Sequence, residues 1–134
     1  MQRAEMNSPN PSSRAQGERV QLDEAALARL RELDPDGRHG VLARVLAAFE
    51  SSLSRMLTQL QAERAGGHPE LVAGVAHTLK SSSASVGAME LARACAEVET
   101  RLRNGDASEL KADIARLIAE GESALRAVAA MLRP

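Results

Sequence analysis

His77 is the residue of this sequence whose chemistry and position first suggest a function. It lies in the segment Ala76-His77-Thr78-Leu79-Lys80, within a stretch whose apolar residues recur at helical spacing. A neutral imidazole is a nucleophile near pH 7. The apolar stripe of this predicted helix lies on the face opposite His77, so we expect the imidazole to point into solvent. The stripe consists of Leu71, Val75, Leu79, Ser82 and Val86.

The side chains expected around His77 are small. Ala73, Gly74, Ser81 and Ala84 lie one or two helical turns away, and Lys80 supplies one cation. A solvent-facing nucleophile among small side chains is typical of a group that another protein must reach. The histidines of the chain lack the i,i+3 or i,i+4 spacing of a helical metal site, so we predict that no metal is bound.

The composition excludes several classes of function. With 17 basic and 18 acidic residues, the formal net charge is -1, which gives no overall attraction to nucleic acid or to acidic lipid. A single Phe and the absence of Tyr and Trp argue against base stacking and against anchoring at a membrane interface. Cys95 is the only cysteine, so neither an internal disulfide nor a cysteine-based zinc site is possible. We expect a cytoplasmic protein with no membrane insertion.

Helical spacing and turn signals predict an all-α fold. Residues 1–20 are polar and rich in Ser and Pro, and we interpret them as a disordered leader or linker. A short helix then follows Asp23, and four longer helices are predicted at about 40–65, 68–86, 88–103 and 106–131. Short loops favour antiparallel neighbours. We therefore predict one domain over residues 21–134, an antiparallel up-down four-helix bundle with a short additional N-terminal helix.

Three further interpretations concern the last two helices. Asp106, with Glu109 three residues later, has the pattern of a capping box that begins the last helix. Cys95 lies on an apolar stripe and is expected in the core. The alternating charges of the fourth helix indicate a solvated face. These charged residues are Glu90, Arg93, Glu97, Glu99, Arg101 and Arg103.

The third and fourth predicted helices together resemble the histidine-containing phosphotransfer (HPt) domain family. That family has approximately His-x-Leu-Lys-Gly followed by small residues, then Gly-Ala, and then Leu, Cys and Leu-Glu at fixed intervals. The resemblance covers roughly residues 22–103, and the last helix matches in type. Ser81 replaces the usual Gly, and Val98 the usual Leu. The matching residues are His77, Leu79, Lys80, Ser82, Ser83, Gly87, Ala88, Leu91, Cys95 and Glu99.

The resemblance implies a phosphorelay function. His77 would accept a phosphoryl group from one response-regulator receiver domain and return it to another, with Lys80 offsetting charge on the phosphoryl oxygens. Ala73, Gly74, Ser81 and Ala84 would shape the docking surface. The chain itself would need no cofactor, because Mg²⁺ would belong to the receiver. A hybrid sensor kinase is a further partner suggested by the resemblance, and we expect a monomer.

Two other functions are compatible with parts of the pattern. The bundle could bind a receiver domain or an enzyme without phosphotransfer, although His77 and Lys80 argue for chemistry. A metal- or cofactor-holding bundle would need inward-facing Glu and His ligands, and the sequence offers no such set. There is no Gly-rich phosphate loop or other ATP-binding signature, so autonomous kinase activity is not expected.

Overall fold

The computed structural model describes residues 21–134, which form five helices and no strand. The helices are α1 (Glu24–Glu32), α2 (Val41–Ala62), α3 (Pro69–Ser85), α4 (Met89–Arg103) and α5 (Leu110–Leu132). The prediction of an all-α fold with a short first helix is confirmed. The predicted leader lies outside the described residues, so the boundary at residue 20 stays a prediction.

The four long helices form a closed ring of contacts. Each packs against the next in sequence, α5 returns to α2, and the α3–α4 pair has the most extensive contact. Gly121 allows α5 to approach α2 closely, because a Cβ atom there would lie 2.6 Å from Leu57 Cδ2. The loss of helix propensity at this glycine therefore has a packing reason.

The space enclosed by the helices is filled almost entirely by aliphatic side chains. Leucine dominates, and Phe49 is the one aromatic residue of the core. Cys95 is buried among these side chains, as its place on the apolar stripe predicts. The largest fully buried side chains are Leu27, Leu46, Leu53, Leu60, Leu79, Leu91, Ile114, Leu117, Val72, Val86, Val98 and Val128.

A Schellman motif ends α3 and connects it tightly to α4. The backbone N–H of Ala88 donates to Ser83 O at 2.8 Å, and that of Gly87 donates to Ala84 O at 3.1 Å. Gly87 has φ +85°, a conformation that L side chains rarely adopt. Its carbonyl accepts from Asp23 N at 2.8 Å, while the Asp23 carboxylate caps α1 by accepting from Ala26 N. One glycine therefore ends α3 and also holds the start of α1.

The predicted start of α5 is wrong by about one turn. Asp106 does not cap this helix; its carboxylate accepts from the backbone N–H and the hydroxyl of Ser108, and so stabilises a turn. The helix begins at Leu110, with Glu109 in the capping position. Short polar side chains favour turns as much as caps, which is why the Asp106–Glu109 pattern was ambiguous.

The buried face of α3 is rotated relative to the predicted stripe. Leu71 was expected in the core but is 40% exposed, whereas Ala73, predicted on the docking surface, is only 9% exposed. Ala76 and Ser83 are also buried. Most of the predicted stripe is nonetheless buried, and Val72 takes the place of Leu71 in the core. A stripe of large apolar residues does not show on which side of the helix the small residues lie.

Gly87→Ala is expected to destabilise the fold by about 1–3 kcal/mol, because the residue would be forced into a left-handed conformation. The added Cβ would also lie 2.6 Å from Asp23 N. Chemical denaturation measures the change. The matched control is Gly74→Ala: Gly74 lies inside α3, a Cβ there meets nothing within 4 Å, and the change should stabilise the protein by about 0.5–1 kcal/mol. Equal effects of the two substitutions would contradict this account.

Candidate functional site

His77 lies near the middle of α3 and projects from the bundle. Its side chain is 62% exposed, as its position on the helix predicts. Gly74 and Ser81, one turn to either side, are exposed and too small to cover the ring. A reacting group on another molecule can therefore approach the imidazole directly.

The imidazole is held by a carboxylate from the neighbouring helix. His77 Nδ1 lies 2.7 Å from Glu99 Oε2, and the Glu99 side chain is only 9% exposed. Because an ionised carboxylate can only accept hydrogen bonds, Nδ1 must carry the proton. The lone pair of the neutral ring is then on Nε2.

Glu99 also binds two cations. Lys80 Nζ lies 2.7 Å from Oε1, and Arg103 Nε lies 2.9 Å from Oε2. The carboxylate thus contacts three donors. The imidazole and the ammonium group of Lys80 come from α3, and the guanidinium group of Arg103 comes from α4. Such a cluster compensates for the loss of water around a nearly buried charge.

These contacts keep Glu99 ionised. The hydrogen bond from Lys80 is the largest cause, and with the bond from His77 it outweighs the effect of burial and lowers the pKa of Glu99 from 4.5 to about 2. The carboxylate is therefore charged throughout the physiological range, and its acceptor role towards Nδ1 does not depend on pH there.

The sequence interpretation of the α4 charges was wrong for Glu99. Glu90 and Arg93 do form a surface pair, but Glu99 is buried against α3. Arg101, also assigned to the solvated face, contacts the buried carboxylate of Asp113. A signal was present, since Glu99 follows the buried Val98 directly and lies one turn after the buried Cys95. A carboxylate at the edge of an apolar stripe needs a cationic partner.

A family model described as Hpt domain matches residues 44–132. The match covers more than half of the chain. This chain belongs to the Hpt domain family. The match begins within α2 and extends through α5. It therefore includes the last helix, which the sequence resemblance matched only as a helix and not by a motif. No curated protein and no solved structure matched the chain.

Hpt domains are the histidine phosphotransfer domains of phosphorelays, and receiver domains are the proteins with which they interact. The residues predicted as the docking surface of this Hpt domain surround His77 unequally. Gly74 and Ser81 are exposed, Ala84 is partly buried, and Ala73 is nearly buried. Ala73 and Gly74 line a shallow groove with Glu70, Leu102 and Arg103, next to the Glu99 cluster.

The other reactive groups of this Hpt domain lie outside the cluster. Burial raises the pKa of the Cys95 thiol to about 12, which leaves it protonated and unreactive. His68 Nδ1 is 3.1 Å from Glu63 Oε1 at the start of α3. Within residues 21–134, no group of three or more His, Cys, Asp or Glu side chains is placed to hold a metal ion. No helix in the same range is long and apolar enough to cross a membrane.

The lowered pKa of Glu99 predicts a specific pH dependence of stability. A depressed pKa stabilises the folded state above the unfolded value near 4.5, and this contribution is lost as pH falls towards 2. Glu99→Gln should therefore be less stable than the wild type at pH 7, and the difference should shrink between about pH 4.5 and pH 2. Denaturation series at several pH values measure it.

Glu90→Gln is the matched control, because Glu90 is an exposed glutamate on the same helix. Its difference from the wild type should stay small at every pH, since surface pairs contribute little. A Glu99→Gln difference that stays constant down to pH 2 would contradict the assignment.

Proposed function

We propose that this Hpt domain carries a phosphoryl group between receiver-domain aspartates as a phosphohistidine at His77. The observation that carries the proposal is the contact between Nδ1 and the ionised Glu99, which leaves an exposed nitrogen lone pair at Nε2. A non-catalytic binding surface would not require an oriented imidazole.

The transfer step follows from this geometry. The Nε2 lone pair attacks phosphorus, the N–P bond forms, and the bond between phosphorus and the aspartate oxygen breaks, which regenerates the aspartate carboxylate. Since Nδ1 keeps its proton, the ring becomes cationic, and the Glu99 carboxylate stabilises that charge. The reverse step returns the phosphoryl group to a second aspartate by the same path.

Lys80 assists in this proposal by offsetting the negative charge of the phosphoryl group once that group is bound to His77. An ammonium group has three donors, and Glu99 Oε1 occupies one of them. The others remain available for phosphoryl oxygens. Little covalent chemistry is needed from the carrier, because phosphoryl transfer depends mainly on positioning and charge stabilisation. We assign the required Mg²⁺ to the receiver domain.

Gly74, Ser81 and Ala84 would form the docking surface, with Ala73 at the floor of the adjacent groove. The support for Gly74 is energetic. It is an exposed glycine inside a helix, where alanine would be more stable, and no contact within residues 21–134 requires the missing side chain. Contact between a receiver domain and the helix backbone next to His77 would explain why this position is glycine.

Labelled phosphotransfer tests the proposal. Receiver domains phosphorylated with labelled acetyl phosphate are mixed with the full chain, and the label on each protein is followed with time. We expect transfer to the wild type, none to His77→Gln, and transfer slowed by roughly tenfold to a hundredfold in Glu99→Gln, since a charge-assisted hydrogen bond is lost. The control Glu90→Gln should match the wild type.

The outcomes separate relay from simple binding. Equal labelling of the wild type and His77→Gln would remove His77 from the mechanism. A receiver that binds the wild type with no transfer would favour the non-catalytic interaction module.

The docking role of Gly74 can be tested in the same assay. If Gly74 contacts the receiver, Gly74→Gln should slow transfer from receivers, while the reaction of this variant with the small donor phosphoramidate should stay unchanged.

A further inference from the structure

Ser81 differs from the neighbouring serines of α3 because its hydroxyl is both exposed and without a hydrogen-bond partner among residues 21–134. Ser82 Oγ donates to Thr78 O at 3.3 Å, and Ser85 Oγ donates to Ser81 O at 3.0 Å. The Ser83 hydroxyl has no hydrogen-bond partner among residues 21–134 either, but it is fully buried. Ser81 is exposed, and among residues 21–134 its hydroxyl has no hydrogen-bond partner. Its donor is therefore available to a group outside the chain.

The hydroxyl lies beside His77, on the flank away from Glu99. Residues three and four positions apart in a helix are neighbours, with Cβ atoms about 5–6 Å apart. Lys80, at the third position after His77, turns towards α4 and contacts Glu99. Ser81, at the fourth position, lies on the other side of the imidazole. Helical side chains tilt towards the N-terminus, so the Ser81 side chain leans towards His77.

We propose that Ser81 Oγ donates a hydrogen bond to an oxygen of the phosphoryl group on His77 Nε2 and thereby slows the hydrolysis of the phosphohistidine. The inference rests on the proposed function, because it requires a phosphoryl group at this nitrogen. Lys80 and Ser81 would then contact the group from opposite flanks.

The expected effect on hydrolysis follows from the charge of the phosphoryl oxygens. In hydrolysis the N–P bond breaks with its electrons going to Nε2, and water supplies the new oxygen of the released phosphate. The transition state is loose and resembles metaphosphate. Metaphosphate oxygens carry less negative charge than those of the dianionic phosphoryl group. A hydrogen-bond donor thus stabilises the ground state more than the transition state and slows the reaction.

The test measures the lifetime of the phosphohistidine without any receiver. The full chain is phosphorylated with potassium phosphoramidate, freed of reagent, and followed by phosphorus NMR at neutral pH. Ser81→Ala should lose the phosphoryl group about two- to tenfold faster than the wild type, the effect of one lost hydrogen bond. Ser81→Thr, which restores a hydroxyl, should return the lifetime to within about twofold. Ser85→Ala is the matched control and should behave as wild type.

The other outcomes overturn this inference, the proposed function, or both. If the phosphohistidine of Ser81→Ala hydrolyses at the same rate as that of the wild type, the hydroxyl does not contact the phosphoryl group. That conclusion would hold even if Ser81→Gly changed the rate of transfer from receivers. If phosphoramidate gives no phosphohistidine at all, this inference and the proposed function both fail. If phosphohistidine forms but receivers do not exchange with it, the relay fails while the Ser81 result still stands.

Discussion

The nearly buried carboxylate of Glu99 is the interaction on which the site depends. It lies between α3 and α4, where an unpaired charge would be costly, and it contacts His77, Lys80 and Arg103. The same carboxylate thereby fixes the orientation of the imidazole, determines which nitrogen carries the proton, and places a lysine beside the ring. A surface histidine without this partner would rotate freely and would distribute its proton between both nitrogens.

The close packing of α3 against α4 makes this contact possible. Small buried residues on α3, including Ala73 and Ala76, allow the two helices to approach, and the turn at Gly87 connects them within three residues. His77 and Glu99 are 22 positions apart in sequence but are joined by a 2.7 Å contact. The α3–α4 pair therefore positions both His77 and Glu99, and the α2–α5 pair completes the hydrophobic core.

The sequence predicted those features that depend on local signals. Helical spacing and the glycine and proline turns predicted the five helices, the burial of Cys95 and the exposure of His77. The spacing of the histidine motif predicted the family. The predicted buried face of α3 and the predicted start of α5 were wrong, because small residues and turn-forming side chains carry weak local signals. The role of Glu99 was missed because a carboxylate among alternating charges looks solvated until its partner helix is known.

Nitrogen NMR of the His77 imidazole tests the central claim most directly. For the neutral imidazole in the full chain, the contact with Glu99 predicts a proton on Nδ1 and a lone pair on Nε2. After phosphorylation, it predicts phosphorus–nitrogen coupling at Nε2 with Nδ1 still protonated. A proton found on Nε2 in the free protein, or phosphorus bonded to Nδ1, would contradict the account.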